Sequence, residues 1–390
     1  MFLLYFTVFV ISLIMNVIRT IQKPLGDILK SNRKIVVLFG ARQTGKTTLC
    51  NQVLADMPGK ILKINGDEIK YTELLSSRDF SKMKLLLEGF DILFIDEAQR
   101  IQDIGINLKI IYDNMPEMKM LITGSSSFEL ANQVKEPLTG RTSTLKMMPF
   151  SLQELQQSTT IFDIQQRLEE FMLYGLYPEI THYANSGEKE KYLNELSTSY
   201  LYKDVLELSN IRNSAKISSL LRLLAFQIGR EVSLNEIGQS LGMSQETVSS
   251  YIDLLEKSFI VFRLSGFSRN LRKEIVKRDK IYFWDLGVRN CIVRNFAPLS
   301  SRTDVGEMWE NLIVSERLKY LYNNQLTVNS YFWRTYTGAE VDYVEEKNGE
   351  LFAYEIKYSK VQKNAPQTWI DNYGNNFKCI TRDNFWEYVM

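Results

Sequence analysis

The stretch that most constrains this chain is Gly40-Ala41-Arg42-Gln43-Thr44-Gly45-Lys46-Thr47-Thr48, which directly follows the apolar run Ile35-Val-Val-Leu-Phe39. A short, continuous run of branched residues reads as a buried parallel strand. The residues after it have the spacing of a phosphate loop, with a helix expected to start at Lys46. Gly40 and Gly45 permit backbone angles that turn N–H groups toward an anion. The following helix aims its positive end at the same place. Lys46 is a mobile cation for β- and γ-phosphates, and the Thr47 hydroxyl suits Mg²⁺. Residues 40–48 are therefore expected to bind ATP, with Mg²⁺ as its companion.

A second apolar strand, Ile92-Leu-Phe-Ile95, ends in Asp96-Glu97, with Asp96 fifty residues after Lys46. A carboxylate at a strand end beside the loop can hold Mg²⁺, and Glu97 is expected to polarise the attacking water. A helix N-terminus would also favour two acids here. A third strand, Met118 to Thr123, leads into Gly124-Ser125-Ser126-Ser127. Ser125 is the candidate sensor of the γ-phosphate; a helix cap is the other use for such a serine. Arg141, in Leu138-Thr-Gly-Arg141, is a candidate for steadying transition-state charge, in its own chain or a neighbour's.

Composition limits the rest. With 390 residues, 45% hydrophobic and 24% charged, the chain is an ordinary globular mixture of two or three domains. Forty-seven Lys+Arg against 46 Asp+Glu give a net charge of +1, which excludes a globally basic nucleic-acid binder but not a local patch. Cys50, Cys291 and Cys379 are scattered, so neither a disulfide framework nor a zinc site is built from them, and a reducing, cytoplasmic compartment is expected. His182 is the one histidine and lies in a polar stretch. Phe2 to Ile18 is apolar but slightly short for a bilayer helix. It reads either as an N-terminal anchor or as residues upstream of a true start at Met15, and the second reading is adopted. No membrane partner is expected unless the extension is real.

The motifs resemble those of AAA+-like archaeal and bacterial P-loop ATPases that carry a winged-helix segment and a C-terminal domain of unknown function related to nucleases. The resemblance rests on Phe39 to Thr48, Ile95-Asp-Glu-Ala-Gln99, Ile122-Thr-Gly-Ser-Ser126, Leu138-Thr-Gly-Arg141 and Pro149-Phe-Ser-Leu152. Tyr174-Gly-Leu-Tyr-Pro-Glu179 is similar to a further family element, with Leu176 where a second glycine is usual. The resemblance spans nearly everything after Met15. It implies an α/β protein: residues 1–18 an extension, 19–158 a P-loop ATPase domain, 159–265 a helical and winged-helix region, and 266–390 a nuclease-like α/β domain.

The middle of the chain fits this. Leu220, Leu221, Leu223, Leu224 and Ile228 share a helical face, and Ser233 to Ser244 reads as helix, turn and new helix start. Val248, Tyr251, Ile252, Leu254 and Leu255 are expected to be buried, and Phe259 to Phe262 to form a strand. Helix–turn–helix then strand suits either DNA contact or simple packing. Arg263 to Lys280 holds seven basic residues (Arg263, Arg269, Arg272, Lys273, Lys277, Arg278 and Lys280) against Glu274 and Asp279, a candidate phosphate-binding patch.

At the C-terminal end, Glu340 to Glu346 and Leu351 to Tyr358 flank Asn348-Gly349, a strong hairpin signal. A two-residue turn sets Asp342 opposite Glu355 and Glu340 opposite Lys357, with Val341, Tyr343, Phe352, Tyr354, Ile356 and Tyr358 on an apolar face. Facing carboxylates need a counter-charge, and a hard divalent cation supplies one. Asp342 followed thirteen positions on by Glu355-Ile-Lys357 resembles the PD-(D/E)XK nuclease core, in which two carboxylates bind Mg²⁺ and the lysine positions water. Glu310 resembles that fold's additional acidic residue. A solvated polar face with Glu340 paired to Lys357 is the plainer alternative.

The expected function is a cytoplasmic ATPase coupling hydrolysis to a DNA-directed, nucleolytic C-terminal domain. The alternative is a nucleotide switch that binds a protein partner and keeps an inactive nuclease-like scaffold. ATP, duplex DNA, a protein and further copies of the chain are the partners considered.

Overall fold

A computed structural model describes residues 17–31, 34–124, 138–201, 214–269 and 278–390. The apolar N-terminal run up to residue 16, Ser125, Arg272, Lys273 and Lys277 lie outside these residues. The chain forms two compact units, one chiefly Ile18–Met148, the other Pro149–Glu256 with Ile260–Met390.

The first unit is a parallel five-stranded sheet. Its strands are β1 (Ile35–Gly40), β2 (Ile61–Asn65), β3 (Ile92–Asp96), β4 (Lys119–Gly124) and β5 (Thr142–Met147), ordered β2-β3-β4-β1-β5. Every residue of β1 is buried, as its unbroken apolar run predicts. Helix α1 (Gln22–Ser31) contributes Leu25 and Leu29, and α2 (Lys46–Ala55) contributes Leu49, Cys50 and Val53, to a core with Val36 and Leu38 of β1. The end of β1 and the start of α2 are thereby fixed on either side of the loop joining them.

The second unit opens with helices. Ser151 caps a short helix at Leu152–Gln156 in a full capping box with Glu154. Leu152 N donates to buried Glu316 at 2.6 Å, and Lys319 Nζ donates to Phe150 O at 3.1 Å. These bonds tie residues 149–158 to the second unit, although motif order assigns them to the first. Leu176 is buried and its N–H donates to Asp285 at 2.7 Å, so the missing second glycine is replaced by a packing residue.

Three helices follow: Ser214–Phe226, Leu234–Leu241 and Gln245–Lys257, the last begun by Ser244 accepting from Thr247 N. Val248, Ile252, Leu254 and Leu255 are buried as their spacing predicts, while Tyr251 is only half-buried. Strands β6 (Val261–Gly266) and β7 (Lys280–Phe283) pair antiparallel beyond them. They extend a mixed six-stranded sheet, β11-β10-β9-β8-β6-β7, with β8 (Asn329–Arg334), β9 (Glu340–Lys347), β10 (Glu350–Ile356) and β11 (Phe377–Ile380). Thus β6, expected in a separate middle region, is hydrogen-bonded to β8. Helix α3 (Val305–Asn323) precedes β8, and α4 (Gln367–Tyr373) links β10 to its parallel neighbour β11.

Candidate functional site

The phosphate loop is held by packing at both ends. A Cβ on Gly40 would lie 2.1 Å from the Met147 carbonyl oxygen, so β1 and β5 can meet here only without a side chain. Close approach, rather than an unusual backbone angle, is what Gly40 supplies; Gly45 has the left-handed backbone, at φ 91°. Lys46 is buried and its Nζ donates to Gly40 O and Ala41 O, both at 2.9 Å. Thr44 Oγ1 donates to Ala41 O at 2.8 Å. The loop is thus curled around its own ammonium. Gln43, Thr47 and Thr48 are exposed, with Arg42 half-buried.

The parallel register brings the acidic strand end alongside. Thr47 Oγ1 donates to Asp96 Oδ2 at 2.7 Å. That pair of oxygens fits a hard cation, with Thr47 and Asp96 as the residues that would hold Mg²⁺. Thr123, fully buried on β4, donates a short hydrogen bond to Asp96 Oδ1 and accepts from Glu97 N at 3.2 Å. Sequence reasoning passed over Thr123, and the signal available was its place at the end of a strand expected beside β3. Glu97 is left-handed at φ 52°, a conformation that costs a non-glycine residue about 1–2 kcal/mol. Its Oε2 accepts from Gln99 Nε2 at 2.5 Å. Burial pushes the neighbouring Cys50 thiol up, nearby Asp96 adds to the rise and Lys46 opposes it, so the thiol stays protonated.

Arg141 is not at this site in its own chain. Its carbonyl accepts from Ile35 N at 2.8 Å, at the far end of β1 from the loop, and its Nε pairs with Asp113 at 3.2 Å. The register that aligns Ile35 with Thr142 and Gly40 with Met147 separates Arg141 from the loop by the length of β1, about 17–20 Å at roughly 3.3 Å per residue.

The second unit holds a separate cleft of about 850 Å³, lined among others by Lys280, Glu310, Glu340, Asp342 and Lys357. The hairpin pairs Glu350 with Lys347 and Tyr354 with Tyr343, the register of a two-residue turn. Asp342 and Glu355 are both buried. Lys357 Nζ lies 3.2 Å from Asp342 Oδ2 and 2.7 Å from Glu355 Oε1, and Ile356 N donates to Asp342 at 2.8 Å. Glu355 Oε2 is buried without a hydrogen-bond partner, an arrangement that fits an absent cation. Burial and the nearby Asp342 charge raise the Glu355 carboxyl, against Lys357.

Lys357 therefore sits on Asp342 and Glu355, while Glu340 pairs instead with Lys280 at 2.6 Å. Glu310 accepts from Lys280 at 3.1 Å and from Tyr282 at 2.5 Å, and burial lifts its carboxyl well above the usual range. Lys280, one of the seven cations of the candidate phosphate-binding patch, is buried. Arg263, counted there too, is paired with Asp253 and Glu256, each at 2.6 Å. The hairpin face of Tyr343 and Tyr354 is not wholly apolar either. Glu345 is buried on it and receives two hydrogen bonds from Arg317, at 2.6 and 2.9 Å. Val341 leaves the face expected for it: a register shift against β8 breaks the alternation between Val341 and Val344, and both pack with Ala353 and Trp369 of α4. Among the described residues no three His, Cys, Asp or Glu side chains form a ready metal cage.

A parallel sheet with a phosphate loop after β1 and an acidic pair after β3 defines a P-loop nucleotide-binding domain. Residues 32–156 match the AAA domain family, so the first unit carries an ATPase-type domain of that class. Residues 165–299 and 305–376 match two domains of unknown function, DUF8612 and DUF4143. The chain is 28% identical over 328 residues to uncharacterized protein Rv2008c of Mycobacterium tuberculosis, spanning 83% of this chain and 70% of that one. It is 25% identical over 355 residues to uncharacterized protein MJ1544 of Methanocaldococcus jannaschii, spanning 85% and 77%. Of the solved structures, the Walker-type ATPase PABY2304 of Pyrococcus abyssi aligns at a TM-score of 0.47 and 15% identity, over 70% of this chain and 94% of that one. Among the described residues no helix is long and apolar enough to cross a membrane.

Proposed function

We propose that this protein is a Mg²⁺-dependent ATPase that couples nucleotide turnover to a DNA-directed, nucleolytic C-terminal domain. The observation that carries the ATPase half is the contact chain from Thr47 through Asp96 and Thr123 to Glu97. In this reading residues 40–48 cradle the phosphates, Thr47 and Asp96 hold Mg²⁺, and Glu97 orients the attacking water once Gln99 releases it. When bound there, Mg²⁺ would supply positive charge against that developing on the transferred phosphoryl group. Arg141 acts on a neighbouring copy, and Ser125 remains the proposed γ-phosphate sensor.

Support for the nucleolytic half comes from the element order α3, β8, β9, β10, α4, β11, in which Asp342 and Glu355 are on adjacent strands and Lys357 directly follows the second. Asp342 and Glu355 would hold the divalent cation, and Lys357, freed from them, would position water. Three helices followed by an antiparallel strand pair suit a winged-helix reading of the middle. Arg230, Arg334 and the exposed Tyr336 at the cleft suit a polyanion with bases. The second reading, a nucleotide switch with an inactive scaffold, is favoured by Lys357 already pairing with both carboxylates.

The test is Mg²⁺-ATP turnover with and without duplex DNA, beside Lys46→Ala and Asp342→Asn. Turnover should vanish in the first variant and rise with DNA in the wild type. Asp342→Asn should spare turnover and abolish Mg²⁺-dependent cleavage. Turnover indifferent to DNA, with no cleavage by the wild type, selects the switch.

A further inference from the structure

Glu310, Glu340 and Asp342 line the cleft of the second unit and Glu355 is buried beside it, and the four carboxylates divide into two pairs, each with its own lysine. Glu310 and Glu340 share Lys280, whose Nζ lies 3.1 and 2.6 Å from them. Asp342 and Glu355 share Lys357, at 3.2 and 2.7 Å. The two lysines differ in freedom. Lys280 has a side chain 3% exposed, while that of Lys357 is 41% exposed. Lys280 is fixed on β7, whose pairing with β6 sets Lys280 against Leu264, and its ammonium lies 5.3 Å from the centre of the Phe332 ring. Tyr282, two residues on and on the same face, donates to the very oxygen of Glu310 that Lys280 reaches.

A cation entering between Glu310 and Glu340 would have to leave the Lys280 ammonium buried and unpaired, which is strongly unfavourable. A cation entering between Asp342 and Glu355 only sends the Lys357 head group into water, on a stem long enough to reach it. It also gains Glu355 Oε2, the buried oxygen that has no hydrogen-bond partner.

We infer that Lys280 occupies the place of a second divalent cation, so that the cleft takes a single ion, at Asp342 and Glu355. Glu310 then holds Lys280 and is not a metal ligand. The inference rests on the metal-centre reading proposed above.

The experiment is Mn²⁺ stoichiometry by calorimetry, without nucleotide, on full-length chains that all carry Asp96→Asn to silence the phosphate-loop carboxylate. One ion should bind per chain, and none once Asp342→Asn is added. Adding Lys280→Met should raise the count from one to two, and adding Glu310→Gln to that variant should return it to one. Two ions with Lys280 present, or one ion still with Lys280→Met, overturns the inference alone. No ion with Lys280 and Asp342 both present removes the metal-centre reading, and the inference with it. Should Lys280→Met fail to fold, Mn²⁺ anomalous scattering from wild-type crystals decides: one peak beside Asp342 and Glu355 supports the inference, and a second beside Glu310 overturns it.

Discussion

Thr123 has no charge, and the stretch Ile122-Thr-Gly-Ser-Ser126 draws attention to its serine, yet the one hydroxyl of Thr123 touches both acidic residues of the nucleotide site. It donates to Asp96 and accepts from the Glu97 amide. Thr123→Val keeps the shape and removes both bonds, so Asp96 and Glu97 lose their common reference. Because Thr123 meets the nucleotide only through them, kcat should fall about 10–100-fold, the usual cost of losing such an outer-shell partner, with little change in the KM for ATP. Thr123→Ser should restore most of the rate; a changed KM with unchanged kcat would sink the positioning role. Gly66 acts through space in the same place. Its N–H donates to Asp96 O at 2.8 Å, and a Cβ there would lie 2.4 Å from Glu97 O. Gly66→Ala should therefore lower turnover more than it lowers nucleotide binding, measured by kcat beside a fluorescent-nucleotide titration; equal losses in both would point to general damage. Residues 40–48, Asp96 and Glu97 were legible because loop spacing and strand ends are local in sequence. Thr123, Gly66 and Gln99 were not, because their roles arise from which strands become neighbours.

Elements carry the second site. The hairpin register was legible because Asn348-Gly349 fixes it locally, and the register brings Asp342 to Glu355. Which face is buried was not, since α3 and α4 are brought to the sheet by long-range packing, and Glu345 is stabilised there by Arg317. Helix α3, which carries Glu310, is tied down at its start. Asp304 pairs with Arg289 at 2.6 Å and Arg302 at 2.8 Å, both of whose side chains are almost wholly buried. Partial burial would raise the Asp304 carboxyl, but hydrogen bonds from Arg302 and Arg289 outweigh it and hold it down to about 2. A carboxyl lowered on folding stabilises above its unfolded value and loses that contribution as pH falls toward the folded one. The window therefore opens near pH 4 and runs toward pH 2. Asp304→Asn should cost about 3 kcal/mol in urea unfolding at pH 7, because two buried guanidinium groups lose their carboxylate. The gap to wild type should narrow between pH 4 and pH 2, and a gap constant over that range would remove the ion-pair explanation.

Across the whole molecule, a net charge of +1 leaves no general field to draw in a polyanion, so any affinity for DNA must come from where the cations stand. Counting charges along Arg263 to Lys280 treats every cation as available. The fold divides them: Arg263 is consumed by Asp253 and Glu256, and Lys280 by Glu310 and Glu340. Arg269 and Arg278, by contrast, are exposed, and Arg278 lines the cleft. The two sets should separate in one experiment on duplex DNA affinity from 50 to 200 mM salt. Each phosphate contact contributes about 0.9 to the slope of log affinity against log salt. Arg269→Ala and Arg278→Ala should each flatten that slope by about this amount. Arg263→Ala should leave the slope unchanged and lower the melting temperature, since it uncovers half-buried Glu256, whose carboxyl burial already raises. A slope that flattens with Arg263→Ala and holds in the other two would mean that DNA displaces the acidic partners of the paired cations, and that the second unit must rearrange to bind it.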